Sequence, residues 1–345
     1  MKVRILTNDF HTFEPYIKAY SELFHRGIEL VQPDAQTYDL TMIGSSLFQD
    51  KKCGSLELST QKGLEYLSTI KGPYILVDGQ DSHSVIGSYE VFKESNALAL
   101  LKDTMLKDRN LYKESYVGGR WYWGKSEDWG IENQNYTPQE WDKYSDKIHL
   151  SGKNWLSVQN YQFNDYKKIP KYFDLSLMFQ YPHDECHEFD LKPSQDYYYN
   201  EYRKQIIDKC ETSPFMTAKL YKGQRLDINQ WAQYQSLSKV ILSPFGYGAY
   251  GAPRDIMAVS LGSILLKESL DFLDTYPNIY EDGKTYISCK NDFSDLEDKI
   301  EYCVLNFTDI RDELVDNMVT SYKDNYTLES LADYTVELFK KLNIL

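Results

Sequence analysis

The chain has 345 residues and a formal net charge of −14. That length predicts two domains, each able to bury its own core. The negative balance disfavours a nucleic-acid partner, although a local basic groove stays open. Five scattered cysteines, Cys53, Cys186, Cys210, Cys289 and Cys303, form no C-x-x-C pair, which points to reduced thiols in the cytoplasm. No apolar run approaches the roughly 20 residues that span a bilayer. Met1 to Thr7 reaches polar residues too early for a signal peptide. A soluble, cytoplasmic protein is expected. The 30 tyrosines and 6 tryptophans suit sugar-contacting surfaces, and an AT-rich genome would enrich Tyr equally.

In chain order, Val3 to Leu6 reads as a buried first strand. Tyr16, Ile17, Tyr20, Leu23 and Phe24 share one face at helical spacing. Leu40 to Ile43 and Tyr74 to Val77 are further strands, with Leu64, Leu67 and Ile70 at helical spacing between them. Such alternation predicts parallel pairing through right-handed crossovers, hence a Rossmann-like domain over residues 1–160. Residues 118–170 break the rhythm. Gly118-Gly119-Arg120-Trp121-Tyr122-Trp123-Gly124 is aromatic and glycine-flanked, and polar sequence follows. The stretch reads as a long functional loop plus the interdomain connection.

Leu175 to Phe179 restarts the alternation. Tyr199 to Cys210 reads as a helix, and Val240 to Leu242 and Ser263 to Leu266 as strands. Ser294-x-x-Glu297 has the form of a capping box, and Phe293, Leu296, Ile300, Cys303 and Val304 keep helical spacing around it. A last helix is expected from Leu328 to Leu342. The fold class is therefore α/β, with a second Rossmann-like domain over 172–325 and a C-terminal helical segment over 326–345.

Residues 243–262 carry the chemistry. They read Ser-Pro-Phe-Gly-Tyr-Gly-Ala-Tyr-Gly-Ala-Pro-Arg-Asp-Ile-Met-Ala-Val-Ser-Leu-Gly. A strand enters a loop with Gly246, Gly248 and Gly251. Pro253 sits where a helix starts, and Gly262 closes that helix. Glycines admit a ligand close to the backbone. The helix start offers unpaired N–H groups and partial positive charge. Arg254 adds a planar cation able to grip two phosphate oxygens. Each such charge-assisted bond contributes about 1.5–3 kcal/mol. The plain alternative is a glycine-rich turn whose arginine faces water.

Ser243-Pro244-x-Gly246, then Arg254, then Ala258 and Gly262 before an apolar strand, resembles the donor-site segment of GT-B glycosyltransferases, the exostosin-like and group 1 branches most of all. Tyr276-Pro277-x-Ile279-Tyr280, Tyr286, and Asp292 to Leu296 opening a helix extend the resemblance over about residues 172–342. It implies two facing Rossmann-like domains (GT-B) with an interdomain cleft, and a last helix crossing back to the first domain. It also implies a nucleotide-sugar donor, UDP- or GDP-linked, and a carbohydrate or glycoconjugate acceptor. Group 1 members carry two glutamates eight positions apart here. This chain has Ala249 and Met257 in their places. Asp255 lies nearby as a substitute for the ribose-holding glutamate, and an inverting mechanism gains weight. No D-x-D occurs, which fits a transferase with no metal or other cofactor.

The remaining candidates follow from position. Asp9 and His11, after the first strand, and Asp81 and His83, after the Tyr74–Val77 strand, are rival bases for an acceptor hydroxyl. An N-cap, a surface histidine and an Asp-Gly turn are the alternatives. Trp121, Tyr122 and Trp123 are candidates for stacking on an acceptor sugar, or for anchoring their own loop. Phe245 and Tyr247 are candidates for donor contact, and Arg225 for a second phosphate contact. His183 to Glu188 is rich in ligand-type residues but lacks a zinc spacing, and reads as a solvated acidic loop. Two rival functions stay open: a nucleotide enzyme of other chemistry on a doubly wound fold, and a catalytically inactive sugar-binding relative.

Overall fold

The computed structural model describes residues 1–48, 60–79, 83–85, 87–116, 119–126, 138, 140–152, 166–177, 179, 195–211, 213–215, 217–219, 228–246 and 252–345. The chain divides into two compact units. One comprises Met1–Leu156, Phe272–Asn278 and Tyr326–Leu345, and the other Ser157–Asp271 and Ile279–Asn325.

The first unit is a six-stranded parallel sheet. Its strands are β1 (Lys2–Leu6), β2 (Glu29–Val31), β3 (Leu40–Gly44), β4 (Tyr74–Val77), β5 (Leu100–Lys102) and, after the short β6 (Thr104–Leu106), β7 (Ile148–Leu150). The order is β2-β1-β3-β4-β5-β7. Every residue of β3 and β4 is buried, as the central strands of a parallel sheet require. Helices α1 (Phe10–Lys18), α2 (Tyr20–His25), α3 (Thr60–Leu67), α4 (Ser88–Glu94) and α5 (Trp141–Tyr144) follow the strands. The chain order reverses direction between β1 and β3. That reversal is a topological switch point, where ligands of open α/β sheets collect at the strand carboxyl ends.

Two later segments complete this unit. Within Phe272–Asn278, β12 (Leu273–Thr275) pairs antiparallel with β6, and Arg109 bridges to Asp274 at 2.8 Å. The final helix α11 (Leu328–Lys341) packs against α1 and α2. Leu331, Ala332, Leu338 and Phe339 join Val3, Phe13, Leu23 and Met42 in one core. Arg26 Nε donates to Asp333 at 2.6 Å, and the Tyr334 hydroxyl donates to Leu150 O at 2.8 Å.

The second unit is a five-stranded parallel sheet of β8 (Phe173–Leu177), β9 (Thr217–Lys219), β10 (Ser238–Leu242), β11 (Ile264–Glu268) and β13 (Ile287–Cys289), ordered β13-β11-β10-β8-β9. Its helices are α6 (Gln195–Glu211), α7 (Ile228–Ser236), α8 (Pro253–Ser260), α9 (Leu296–Leu305) and α10 (Phe307–Asn325). Here the order reverses between β8 and β10, so the loop that opens at Ser243 leaves the sheet at the switch point. Gly262, at φ +69°, closes α8. Both units are Rossmann-like, and the fold class is α/β.

Four sequence expectations need correction. Tyr16 and Leu23 are buried, but Ile17, Tyr20 and Phe24 are exposed, because the helix breaks at Ala19 and the two halves present different faces. Residues 118–170 are not all loop. Trp141 is buried in α5 against Tyr112, with ring centres 4.4 Å apart, and β7 supplies an edge strand. β2, β5, β7, β9 and β13 went unpredicted, each being only three residues long. Ser294 makes no capping box. Asp295 is the N-cap of α9, and its carboxylate accepts the Lys290 N–H at 2.8 Å.

Cys210, Cys289 and Cys303 are buried free thiols, and burial pushes Cys303 up to about 12. Cys53 and Cys186 lie outside the described residues. No helix is long and apolar enough to cross a membrane, among the described residues.

Leu331 is fully buried in the core that α11 shares with α1 and α2. Leu331→Ala should lower unfolding free energy by about 2–5 kcal/mol in urea titration, while exposed Glu329→Ala on the same helix should leave it within about 0.5 kcal/mol.

Candidate functional site

The loop after β10 is held from below by buried charges. Asp255, Ser243 and Lys267 are fully buried. The Ser243 hydroxyl donates to Asp255 Oδ1 and accepts from Arg254 Nε at 2.8 Å. Asp255 Oδ2 accepts the Ala252 N–H at 2.8 Å and the Tyr280 hydroxyl at 3.2 Å. Lys267 Nζ lies 3.4 Å from Asp255 Oδ2 and donates to Ser243 O at 3.0 Å. Burial pulls the Lys267 ammonium below its ordinary range, and the charges of Asp255 and Glu268 oppose that. Breaking a buried pair of this kind costs about 3–5 kcal/mol, so the loop's entry and exit are fixed.

These contacts bear on the roles expected of three residues. Asp255 has both oxygens committed inside the protein and braces the loop. It is not exposed to take the part of a ribose-holding glutamate. Arg254 is half-buried, and two of its five N–H groups are spent, that of Nε on Ser243 and one of Nη2 on Pro244 O. Three N–H groups, two on Nη1 and one on Nη2, are left for a ligand. Phe245 is buried. Its N–H donates to Glu268 Oε1 at 2.9 Å, and Lys267 Nζ sits 4.9 Å from its ring centre. It is packing, not a donor contact.

The helix start is also partly consumed. Pro253 has no N–H, the Ala252 N–H is taken by Asp255, and the Asp255 N–H returns to Ala252 O at 2.9 Å. Gly246 is described, and a Cβ there would meet Arg203 Nη2 at an unstrained 3.7 Å. Tyr247, Gly248, Gly251, Arg225, Ala249 and the His183–Glu188 run lie outside the described residues. Met257 is half-buried on α8.

Sequence reasoning missed Arg203, Lys267 and Glu268, and met Tyr280 only within the family resemblance, with no role. Arg203 is buried under the loop, 4.1 Å from the Tyr199 ring centre, and donates to Phe245 O at 3.4 Å. The one available signal was the Lys267-Glu268 pair, two charges ending an otherwise apolar buried strand.

In the first unit, Asp9 caps α1. Its Oδ1 accepts the His11 N–H at 3.0 Å and its Oδ2 the Thr12 hydroxyl at 2.5 Å. Thr7 and Asn8 touch Ser46 across the β1/β3 switch point. Gly79 must be small: a Cβ there would stand 2.5 Å from Thr12 Oγ1. His11 is exposed, with Nδ1 3.6 Å from Glu14 Oε2. Glu14 also bridges Lys18 at 2.7 Å, and Lys18 first, then His11, holds its carboxyl below the usual range.

Asp81 lies outside the described residues. His83 is fully buried, and its Nε2 accepts the Trp121 N–H at 3.1 Å. With that lone pair occupied, it is no base for an acceptor hydroxyl; it positions the Trp121 turn. Tyr122 and Trp123 are buried too, with Arg120 4.5 Å from the Trp123 ring centre, so they anchor their loop and offer no face to a sugar. Trp121 is half-buried, and its ring packs on Phe272 at 4.6 Å. Among the described residues, no three metal-ligating side chains come together.

No family model matches the sequence, and no curated protein matches it significantly. Among solved structures, the chain is similar to a glycosyltransferase from Rickettsia africae ESF-5, at 12% identity and a TM-score of 0.48, over 99% of this chain and 98% of that one. It is also similar to Anabaena Alr3699/HepE in complex with UDP, at 12% identity and a TM-score of 0.42, over 99% of each chain. The spinosyn forosaminyltransferase SpnP is similar at 10% identity and a TM-score of 0.42, over 99% of each chain.

Burial lowers the pKa of His83 to about 3 and that of His149 to about 4, with Arg120 and Lys102 adding to the first and Lys341 and Arg109 to the second. The unfolded chain takes protons at both sites below about pH 6.5, and the folded unit refuses them. Stability is therefore full above about pH 6.5 and falls as the pH drops toward 4 and then 3. Urea midpoints should decline over that window, and His83→Gln, which keeps an acceptor for Trp121, should flatten the decline. An unchanged slope contradicts a neutral buried His83.

Proposed function

We propose that the chain is a glycosyltransferase of the GT-B type, moving a sugar from a nucleotide-diphosphate sugar to a carbohydrate hydroxyl. The observation that carries the reading is positional. In each sheet, a loop nominated from sequence, Asn8–His11 in one and Ser243–Arg254 in the other, leaves at the switch point, where an open α/β sheet receives ligands. The second unit takes the donor. The N–H groups that Arg254 has left on Nη1 and Nη2 meet the diphosphate, whose charge grows as the sugar departs, and a cation already held by Ser243 and Pro244 stabilises it without reorganising.

The acceptor base is assigned to His11 of the first unit. It is exposed, stands beside a carboxylate at Nδ1, and keeps Nε2 for the hydroxyl proton. Asp9, already committed to capping, orients the turn that carries it. A base acting directly on the acceptor gives inversion at the anomeric carbon. Charge stabilisation by protein groups in place of a divalent ion makes the reaction metal-independent.

Thermal-shift and calorimetric titration test donor binding. UDP or GDP and their sugars should stabilise the protein where NAD and ATP do not, and Arg254→Ala should weaken nucleotide binding about tenfold or more. Stabilisation by NAD alone contradicts the reading, and unchanged affinity in Arg254→Ala removes that residue from it. In turnover assays, EDTA should leave the rate intact, and His11→Ala should cut kcat about 100-fold with donor affinity unchanged. An unaffected kcat eliminates His11 as the base.

A further inference from the structure

Helices α1 and α2 keep four large apolar side chains in solvent. Phe10 and Ile17 are 55% and 41% exposed on α1, and Tyr20 and Phe24 are 46% and 53% exposed on α2. One exposed apolar side chain is ordinary, but a run of four on neighbouring turns marks a contact surface. The chain bends at Ala19 and still holds helical bonds across the bend. The Ala19 N–H donates to Pro15 O and the Leu23 N–H to Ala19 O, both at 2.9 Å. Residues seven apart lie two turns on along nearly the same side of a helix. Phe10, Ile17 and Phe24 therefore follow one line, with Tyr20 beside it, its ring stacked on Phe24 at 6.2 Å. Tyr16, Ala19 and Leu23 are turned to the core.

Charge and spacing say what covers this line. Every Lys, Arg, Asp and Glu from Phe10 to Arg26 is paired within the protein: Glu14 with Lys18 at 2.7 Å, and Glu22 with Arg26 at 2.9 Å. An anionic lipid surface is held by unpaired Lys and Arg, and a basic partner by unpaired carboxylates; the face offers neither. The net charge of −14 sets two copies repelling, so they meet best where charge is locally cancelled. Phe10 and Phe24 stand seven residues on either side of Ile17. A two-fold axis at Ile17 sets Phe10 of one copy against Phe24 of the other and Ile17 against itself, as an isologous interface requires. We propose that this face joins two copies of the chain, with α1 and α2 running antiparallel to their mates about that axis. Since an aromatic side chain buries about 150–250 Å² in full, three of them and an isoleucine at about half exposure supply roughly 300–400 Å² per copy. A standard interface takes about 800 Å² per partner, so the dimer is weak and reversible.

Sedimentation velocity of the full chain over about a hundredfold range of concentration, up to about 200 μM, tests this, because mass action reveals a weak dimer. The wild type should pass from monomer to dimer. Ile17→Glu sets two carboxylates face to face at the axis and should move the transition about tenfold or more to higher concentration. Phe24→Glu should do the same, and Phe10→Lys added to Phe24→Glu should restore the dimer by setting each lysine against a carboxylate of the other copy. All three positions are exposed, so the variants should keep the fold, which circular dichroism checks. Leu305→Glu, on an exposed site of the second unit, should leave the transition in place. A wild type that stays monomeric throughout overturns the proposal. So does a dimer that Ile17→Glu leaves intact, or a Phe10→Lys/Phe24→Glu variant no better than Phe24→Glu alone. Cosedimentation of the wild type with phosphatidylcholine vesicles, lost in Ile17→Glu, would give the face to lipid and overturn it as well.

Discussion

The second unit depends on a buried ion pair, Asp255 with Lys267, closed by the Ser243 hydroxyl. Both charges are out of water, so neither tolerates loss of the other. Because Asp255 sits at the third position of α8 and Lys267 on β11, the pair ties a helix start to the neighbouring strand. The loop after β10 has to leave and return at fixed points. Arg254 is then held by Ser243 and Pro244 through two of its five N–H groups, and Phe245 is turned inward onto Glu268.

Much of the fold was legible because parallel sheets write themselves as short apolar runs with helical spacing between them. β1, β3, β4, β10 and β11 were all found this way, as were α6 and α11. What escaped was set by tertiary contact. β2, β5 and β7 are three-residue strands whose pairing partners, not their composition, make them strands. Phe272–Asn278 carries no sign that it pairs with β6. Ile17 and Phe24 look like core in a helix that runs through, and become surface once the helix breaks at Ala19.

The site was legible in position and less so in role. Sequence placed Ser243, Arg254 and Asp255 in one loop. It could not show that Asp255 spends both oxygens internally, or that His83 uses Nε2 on a backbone N–H. A one-dimensional pattern gives the residue type a site needs, but a role depends on which lone pairs and N–H groups remain unspent, and that is decided by neighbours far away in sequence. Lys267 lies twelve residues from Asp255, and Tyr280 twenty-five. The stretch from Glu268 to Tyr280 is a case in point. It begins under the loop, supplies Phe272 and β12 to the first unit, and returns with a hydroxyl for Asp255.

The central claim is that the Ser243–Arg254 loop is where a nucleotide diphosphate binds. Amide hydrogen exchange with and without saturating UDP-sugar measures this directly. Peptides spanning residues 238–262 should gain protection, and those from β13 and α9 should not. Protection confined to other segments, with 238–262 exchanging as in the free protein, would contradict the account.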